Sequence, residues 1–285
     1  MTSKERIKKC LRFKRPDRIG IYDVLSKTTL EEWKKQGLAG NLAIEEYFGY
    51  DFQNISLNGP LPQKLDESKF ISLSIDEPFC QVSKELGLEE TLKKFACEQR
   101  VLVKLFNKIT DDTIKKTSVF LSGGFKIDGI WLYGDLAYQK GQFFSLDSYK
   151  KLLMPLHKEL CNFFRSQGLS DIIFHSDGDI RVLIPSLIDL GIKAIEPLES
   201  DSGIDAFELR KEYKKNLVLF GNIEFDKLRS SKDAFRSEVK EKIRFLKEDG
   251  GYIYRMDKEI TPDIKLADYK FAIELIKQYG EYGCL

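Results

Sequence analysis

From residue 170 to the C-terminus the apolar residues follow a repeating pattern. Short apolar runs at 171–175, 193–197, 217–220 and 251–255 each give way to a stretch with apolar residues three and four apart, at 180–190, 205–213, 232–248 and 266–279. Short bounded runs predict buried strands, and the three-and-four spacing predicts amphipathic helices. Each helical stretch closes on Gly or a basic residue, as C-termini do. The N-terminal half is less regular. Thr2 to Glu5 reads as a capping box opening a helix with Ile7, Cys10 and Leu11 on one face, and Pro16-Asp-Arg18 ends it. Ile19-Gly-Ile-Tyr22 predicts a short buried strand finishing at Asp23, and helical spacing follows at 28–36 and 42–48. Segment 52–57 is a weak strand pattern, 58–69 a polar connection, and Phe70-Ile-Ser-Leu-Ser-Ile75 a stronger strand. A helical pattern from 78 to 122, broken near Gly87, precedes the strand Gly129-Ile-Trp-Leu-Tyr133 and a helix from Leu146 to Gln167.

Roughly eight strands alternating with helices is the pattern of a closed parallel barrel, so the expected fold is α/β, a (β/α)8 TIM barrel, as one domain over residues 1–285. A doubly wound open sheet is the alternative. The chain has no G-x-G-x-x-G and no G-K-S/T to open such a sheet on a phosphate. Net charge is +1 with both signs interspersed, so no bulk field draws the chain to nucleic acid or membrane. No apolar run approaches the roughly 20 residues that span a bilayer. The five cysteines, Cys10, Cys80, Cys97, Cys161 and Cys284, are odd in number and form no CxxC. With no visible signal peptide, they point to a reducing, cytoplasmic setting and are expected to be free thiols.

In a parallel barrel the chemistry sits at the C-terminal strand ends. Those positions carry Asp23, Asp76 with Glu77, Asp135, His175 with Asp177 and Asp179, Glu196 with Glu199, Asn222 with Glu224, and Arg255 with Asp257, Lys258 and Glu259. A single carboxylate there is ordinarily the N-cap of the next helix; the concentration suggests a site. His175 ends the apolar run from Asp171 and has a carboxylate two residues on. It can act as general acid or base or ligate a metal, with Asp177 a second ligand or the group that fixes its tautomer. His157, inside a helical stretch, reads as a surface or packing residue. Gly178 allows a sharp turn, after which Asp179 can cap the helix from Ile180. Arg255 either recognises an acidic substrate group or pairs with Asp257 or Glu196.

The segment Phe174-His-Ser-Asp-Gly-Asp-Ile-Arg-Val-Leu-Ile-Pro-Ser-Leu-Ile-Asp-Leu-Gly-Ile-Lys-Ala-Ile-Glu-Pro-Leu198 resembles a block of the uroporphyrinogen decarboxylase-like superfamily. In order along the chain, Ser3-Lys-Glu-Arg6 with Arg15-Pro-Asp-Arg-Ile19, Asp128-Gly-Ile-Trp-Leu-Tyr-Gly-Asp-Leu136 with Gln139-Lys-Gly141, Phe220-Gly-Asn-Ile223, and Gly250-Gly-Tyr-Ile-Tyr254 with Ile260-Thr-Pro-Asp263 agree with it. The resemblance implies a (β/α)8 barrel and one of two chemistries: decarboxylation of a tetrapyrrole or other polycarboxylate, or methyl transfer with a corrinoid supplied by a partner protein.

The chain departs from both patterns. Where the decarboxylases carry an Arg-rich segment, after Ile21-Tyr-Asp23, it reads Val-Leu-Ser-Lys-Thr-Thr. Where the methyltransferases hold zinc through His-x-Cys and a later Cys, it has His175, Asp177 and the neighbourhood of Lys258. His175 and Asp177 admit zinc, and Asp257 or Glu259 could stand third, whereas a thiol-activating zinc prefers sulfur. The favoured expectation is therefore a corrinoid-linked methyltransferase acting on a small molecule. His175, Asp177, Asp135 and Arg255 would do the chemistry, and Asp23, Glu196, Asn222, Asp257 and Lys258 would contact substrate. The alternatives are a decarboxylase (a lyase) using Arg255, Lys258 and Arg18 as cations, and a non-catalytic binding barrel.

Overall fold

The computed structural model describes residues 1–39, 43–60 and 64–283. The principal strands are β1 (Gly20–Ile21), β2 (Phe52–Ser56), β3 (Phe70–Asp76), β4 (Gly129–Tyr133), β5 (Ile172–His175), β6 (Ala194–Glu196), β7 (Val218–Phe220) and β8 (Tyr252–Tyr254). They form one eight-stranded sheet in the order β1-β8-β7-β6-β5-β4-β3-β2, with parallel ladders such as β3–β4, β4–β5 and β8–β1. Among the described residues helices follow every strand but β2, and the fold is the (β/α)8 barrel expected from the alternation. Among the described residues no helix is long and apolar enough to cross a membrane.

The chain divides into two compact units. The first comprises residues 1–53, 66–70 and 196–285. Its first helix, Ser3–Cys10, opens with the capping box of Thr2 and Glu5 read in the sequence. Asp51 joins the beginning of the barrel: its N–H donates to the Ile21 carbonyl at 2.8 Å, and its buried carboxylate accepts the Ile21 N–H at 2.8 Å. The same carboxylate takes Arg6 at 2.6 Å and Arg18 at 2.7 Å, while Arg6 also holds Asp17. The Arg-Pro-Asp-Arg motif is thus a structural clasp, and Arg18 is committed to Asp51. The early and late parts of the chain meet here too, with Trp33 wholly buried and its indole N–H donating to the Ile264 carbonyl at 2.7 Å.

The second unit comprises residues 54–65 and 71–195. Successive strand residues alternate faces. On β5, Phe174 packs against the ring of His157, which belongs to helix Met154–Ser166, so His175 takes the opposite face, away from that helix. Register places Asp76, Tyr133 and His175 in one row across β3, β4 and β5. One row earlier on the same face are Ser74, Trp131 and Ile173, and Ser74 and Ser72 both donate to the Asn54 side chain.

Several boundaries differ from expectation. The 78–122 pattern holds three helices, Pro78–Leu86, Leu88–Cys97 and Gln99–Ser122, with a second break at Glu98. The 146–167 pattern breaks at Leu153, before Pro155, whose missing N–H suits the first turn of a new helix. The 180–190 stretch begins as a 3-10 turn, Arg181–Leu183, before helix Ile184–Asp189. A helix at Phe225–Ser230 and a small hairpin, Ala137–Tyr138 with Gly141–Gln142, are additional. The weak pattern at 52–57 is a strand, and the connection at 58–69 falls partly outside the described residues.

Candidate active site

The site grows from the end of β5. Ile172, Ile173 and Phe174 are fully buried, which carries His175 to the strand end with only 7% of its surface exposed. The following loop is tied down on both sides. Ser176 Oγ accepts the Leu136 N–H at 2.9 Å and donates to the Asp177 carbonyl at 2.9 Å. Gly178 has φ +79°, and a Cβ there would stand 2.6 Å from the backbone of Ala137 and Tyr138. Only glycine allows the hairpin to lie this close. The Asp179 N–H then donates to the Tyr138 carbonyl at 3.0 Å.

The same close approach sets Asp135. Gly134 follows β4, donates its N–H to the His175 carbonyl at 2.9 Å, and leaves room for the Phe174 ring, which a Cβ would meet at 2.4 Å. Asp135, in the left-handed region at φ +44°, then faces the imidazole. His175 Nε2 is 3.2 Å from an Asp135 oxygen and 3.6 Å from an Asp177 oxygen. The Asp177 N–H donates to Asp135 Oδ1 at 3.3 Å. One ligand atom from each of the three residues lies within 4.8 Å of the others. Burial raises the Asp135 carboxyl, but the hydrogen bond and charge of His175 outweigh it, so its pKa falls below the ordinary value.

This arrangement brings together three of the expected residues: His175, Asp177 and Asp135. Tyr133, which the sequence reading passed over, packs its ring 4.5 Å from the His175 ring. Lys84 is the other addition. From helix Pro78–Leu86 it reaches Asp76 at 2.7 Å, and its charge helps hold Asp135 ionised. No local pattern marks a lysine two turns into a helix, whereas Tyr133 could have been found as the last residue of its strand. Among the described residues Cys80 does not join the metal-type cluster, and burial, reinforced by Glu77 and Asp76, pushes its thiol up to about 12. Cys10, Cys80, Cys97 and Cys161 are free thiols, and Cys284 lies outside the described residues.

Other strand-end groups have structural partners. Glu77 is fully buried, caps helix Pro78–Leu86 through the Phe79 and Cys80 N–H groups, and bonds His157 Nε2 at 2.8 Å. His157 is therefore a buried packing residue and not a surface one. Asp179 accepts the Arg181 N–H at 3.1 Å and its guanidinium at 2.8 Å; the 3-10 turn is capped by Ile180 with no side-chain bond, so the cap expected of Asp179 is not formed. The remaining candidates belong to the first unit. Asp23 accepts the Met256 N–H at 2.8 Å and the Tyr254 and Tyr269 hydroxyls at 2.7 Å each. Arg255 pairs with Glu196, and both are buried. The Asn222 amide donates to the Ile204 carbonyl at 3.0 Å. Asp257 accepts the Phe225 N–H at 2.9 Å, and Lys258 bridges Asp201 and Asp226.

Comparison with known proteins adds the following. The family described as uroporphyrinogen decarboxylase (URO-D) matches residues 80–279. Among curated proteins no sequence matches. Among solved structures, a methyltransferase from Methanosarcina mazei is similar at TM-score 0.72 and 15% identity, over 98% of this chain and 99% of its own. A sugar phosphate isomerase/epimerase from Parabacteroides distasonis aligns at TM-score 0.47 and 11% identity, over 90% of this chain and 96% of its own, too distant to carry an argument. The first likeness shows the barrel fold.

Proposed function

The chain belongs to the uroporphyrinogen decarboxylase family, and from that premise we propose that it is a methyl-transferring member acting on a small molecule, with the corrinoid supplied by a partner protein. The observation that carries this reading is the convergence of Asp135, His175 and Asp177. Their separations of 3.2 and 3.6 Å suit donors sharing one ion through bonds of about 2.0–2.2 Å. The donor set is one imidazole and two carboxylates, with both carboxylates half-exposed. Such nitrogen and oxygen donors fit zinc or another divalent ion of similar size and replace the sulfur set that the resemblance implies. A bound ion would act as a Lewis acid on the substrate atom that gives or accepts the methyl group.

The chain's own residues do the rest. Asp135 stands 3.2 Å from His175 Nε2, where the two would share one ion, and the loop bonds of Ser176 hold Asp177 in place. Without metal, the same His175, flanked by two carboxylates, is placed to take a proton from an attacking group. Decarboxylation of a polycarboxylate would need free cations. The three expected for it are each held by acids: Arg18 by Asp51, Arg255 by Glu196, and Lys258 by Asp201 and Asp226.

The test is metal content together with turnover. Purified protein is expected to bind about one equivalent of zinc or manganese in a titration, and His175→Ala and Asp177→Ala to bind at least tenfold more weakly. With reduced cobalamin and a set of methylated amines, thiols and ethers, the wild type should form methylcobalamin. Conversion of uroporphyrinogen to partly decarboxylated products, with no metal bound and no methyl transfer, would overturn the reading.

A further inference from the structure

Beside the Asp135–His175–Asp177 cluster, in the same unit, lies a cavity of about 330 Å³ lined by Ser56, Asn58, Ser74, Asp76, Lys84 and Tyr133. All six residues end in hydroxyl, amide, carboxylate or ammonium groups, and Tyr133 is the wall shared with His175. The row Asp76, Tyr133, His175 runs straight across three neighbouring strands, so Asp76 and His175 are two strand spacings apart, about 10 Å, with Tyr133 between them. The cavity carries one charge of each sign: Lys84 Nζ is 2.7 Å from Asp76 Oδ2.

We infer that this cavity binds the ammonium and carboxylate of a small zwitterion, an α-amino acid or a close relative, with Asp76 receiving the ammonium and Lys84 the carboxylate. The inference deepens the proposed methyl transfer by naming its substrate class. A lone anion would gain Lys84 but face Asp76, and a lone cation would meet the reverse. A molecule with both charges on neighbouring carbons inserts into the pair so that the four charges alternate in sign. The pair is cheap to open: the Lys84 side chain is 62% exposed, and exposed ion pairs contribute little in water. The Ser56 and Ser74 hydroxyls and the Asn58 amide supply neutral partners for the remaining lone pairs and N–H groups. The ligand's side chain is then directed past Tyr133 toward His175, where the reacting atom belongs.

Ligand-detected NMR on the full-length protein tests this with glycine, acetate and methylammonium as probes. Glycine is expected to bind, and acetate and methylammonium at least tenfold more weakly. Lys84→Met and Asp76→Asn should each reduce glycine binding at least tenfold, whereas His175→Ala should leave it within about twofold. Equal binding of acetate or of methylammonium, no binding of glycine, or undiminished binding in Lys84→Met would overturn the inference. Zinc titration of the same samples separates the two readings. Zinc binding lost in His175→Ala but kept in Lys84→Met supports the cluster whatever glycine does, and glycine binding without zinc binding counts against the metal reading alone.

Discussion

His175 and His157 are both buried imidazoles facing carboxylates, yet their surroundings give them different work. His157 is enclosed: Nε2 meets Glu77 at 2.8 Å, Nδ1 meets the Tyr149 hydroxyl at 3.2 Å, and Glu77 is itself fully buried with its pKa raised, chiefly by burial. Removing one member of such a pair strands the other in the interior, so His157→Ala is expected to cost about 3–5 kcal/mol in urea melts. His175 sits at a strand end beside two half-exposed carboxylates. His175→Ala should cost no more than about 1–2 kcal/mol while abolishing turnover and metal binding. Asp179→Ala, which removes the bonds to the Arg181 N–H and guanidinium, should cost about 1 kcal/mol and keep most activity. A fully active but badly destabilised His175→Ala protein would make that histidine structural. The sequence showed His175 and Asp177 because an apolar run ended on them. It hid the nature of His157, whose partner is 80 positions away and reaches it only through the packing of a helix on a strand.

At the scale of elements, the site depends on a hairpin too short to show in any periodicity. Two residues on each side, Ala137–Tyr138 and Gly141–Gln142, give no alternation to read. The legible trace was Gly178, expected as a sharp turn; the structure shows that its missing Cβ is also what lets the hairpin backbone approach. The four C-terminal βα units were readable because each strand is a clean apolar run. The helix break at Glu98 was not, because no Gly or Pro marks it, whereas the break at Leu153 had a signal in Pro155 that apolar spacing alone passes over. Gly178→Ala would combine a φ of +79° with a 2.6 Å clash against backbone, and backbone cannot give way as a flexible side chain can. We expect a loss of about 1–3 kcal/mol. We also expect a larger proportional loss of metal affinity, because the displaced loop carries Asp177 and the displaced hairpin adjoins Asp135. Zinc titration beside thermal melts measures both. A Gly178→Ala protein with wild-type zinc affinity would show that the loop and hairpin do not set the cluster.

At the scale of the whole chain, Asp23 binds early sequence to late. Its carboxylate takes hydroxyls from Tyr254 on β8 and from Tyr269 on helix Leu266–Gly280, and the Tyr50 hydroxyl contacts that of Tyr269. These residues, more than 200 positions apart in sequence, sit within one compact unit. Asp23 was expected to contact substrate because it ended a strand; in the structure its carboxylate ties early sequence to late through Tyr254, Met256 and Tyr269. Burial pushes its carboxyl up to about 6 from 3.8, against the pull of the Met256 N–H and the two phenols. Between pH about 4 and 6 the folded protein therefore keeps a proton that the unfolded chain has released. The stability this confers is complete below pH 3.8 and is lost as pH rises through 6. The shift of about two pH units corresponds to roughly 3 kcal/mol at most. Asp17 acts oppositely: Arg6, with the Arg18 N–H, outweighs burial and holds it at about 2, so its contribution disappears only in stronger acid, outside this window. Asp23→Asn keeps a carbonyl to accept the phenols and removes the titration. In urea melts at pH 4, 5, 6 and 7 the wild type should lose stability relative to Asp23→Asn as pH rises, with most of the change complete by pH 6 to 7. Glu77 and Asp257, whose pKa values are also raised, remain in both proteins and cancel in the difference. A difference that stays constant across the series would mean that Asp23 does not titrate there and that its bonds to the phenols hold it charged.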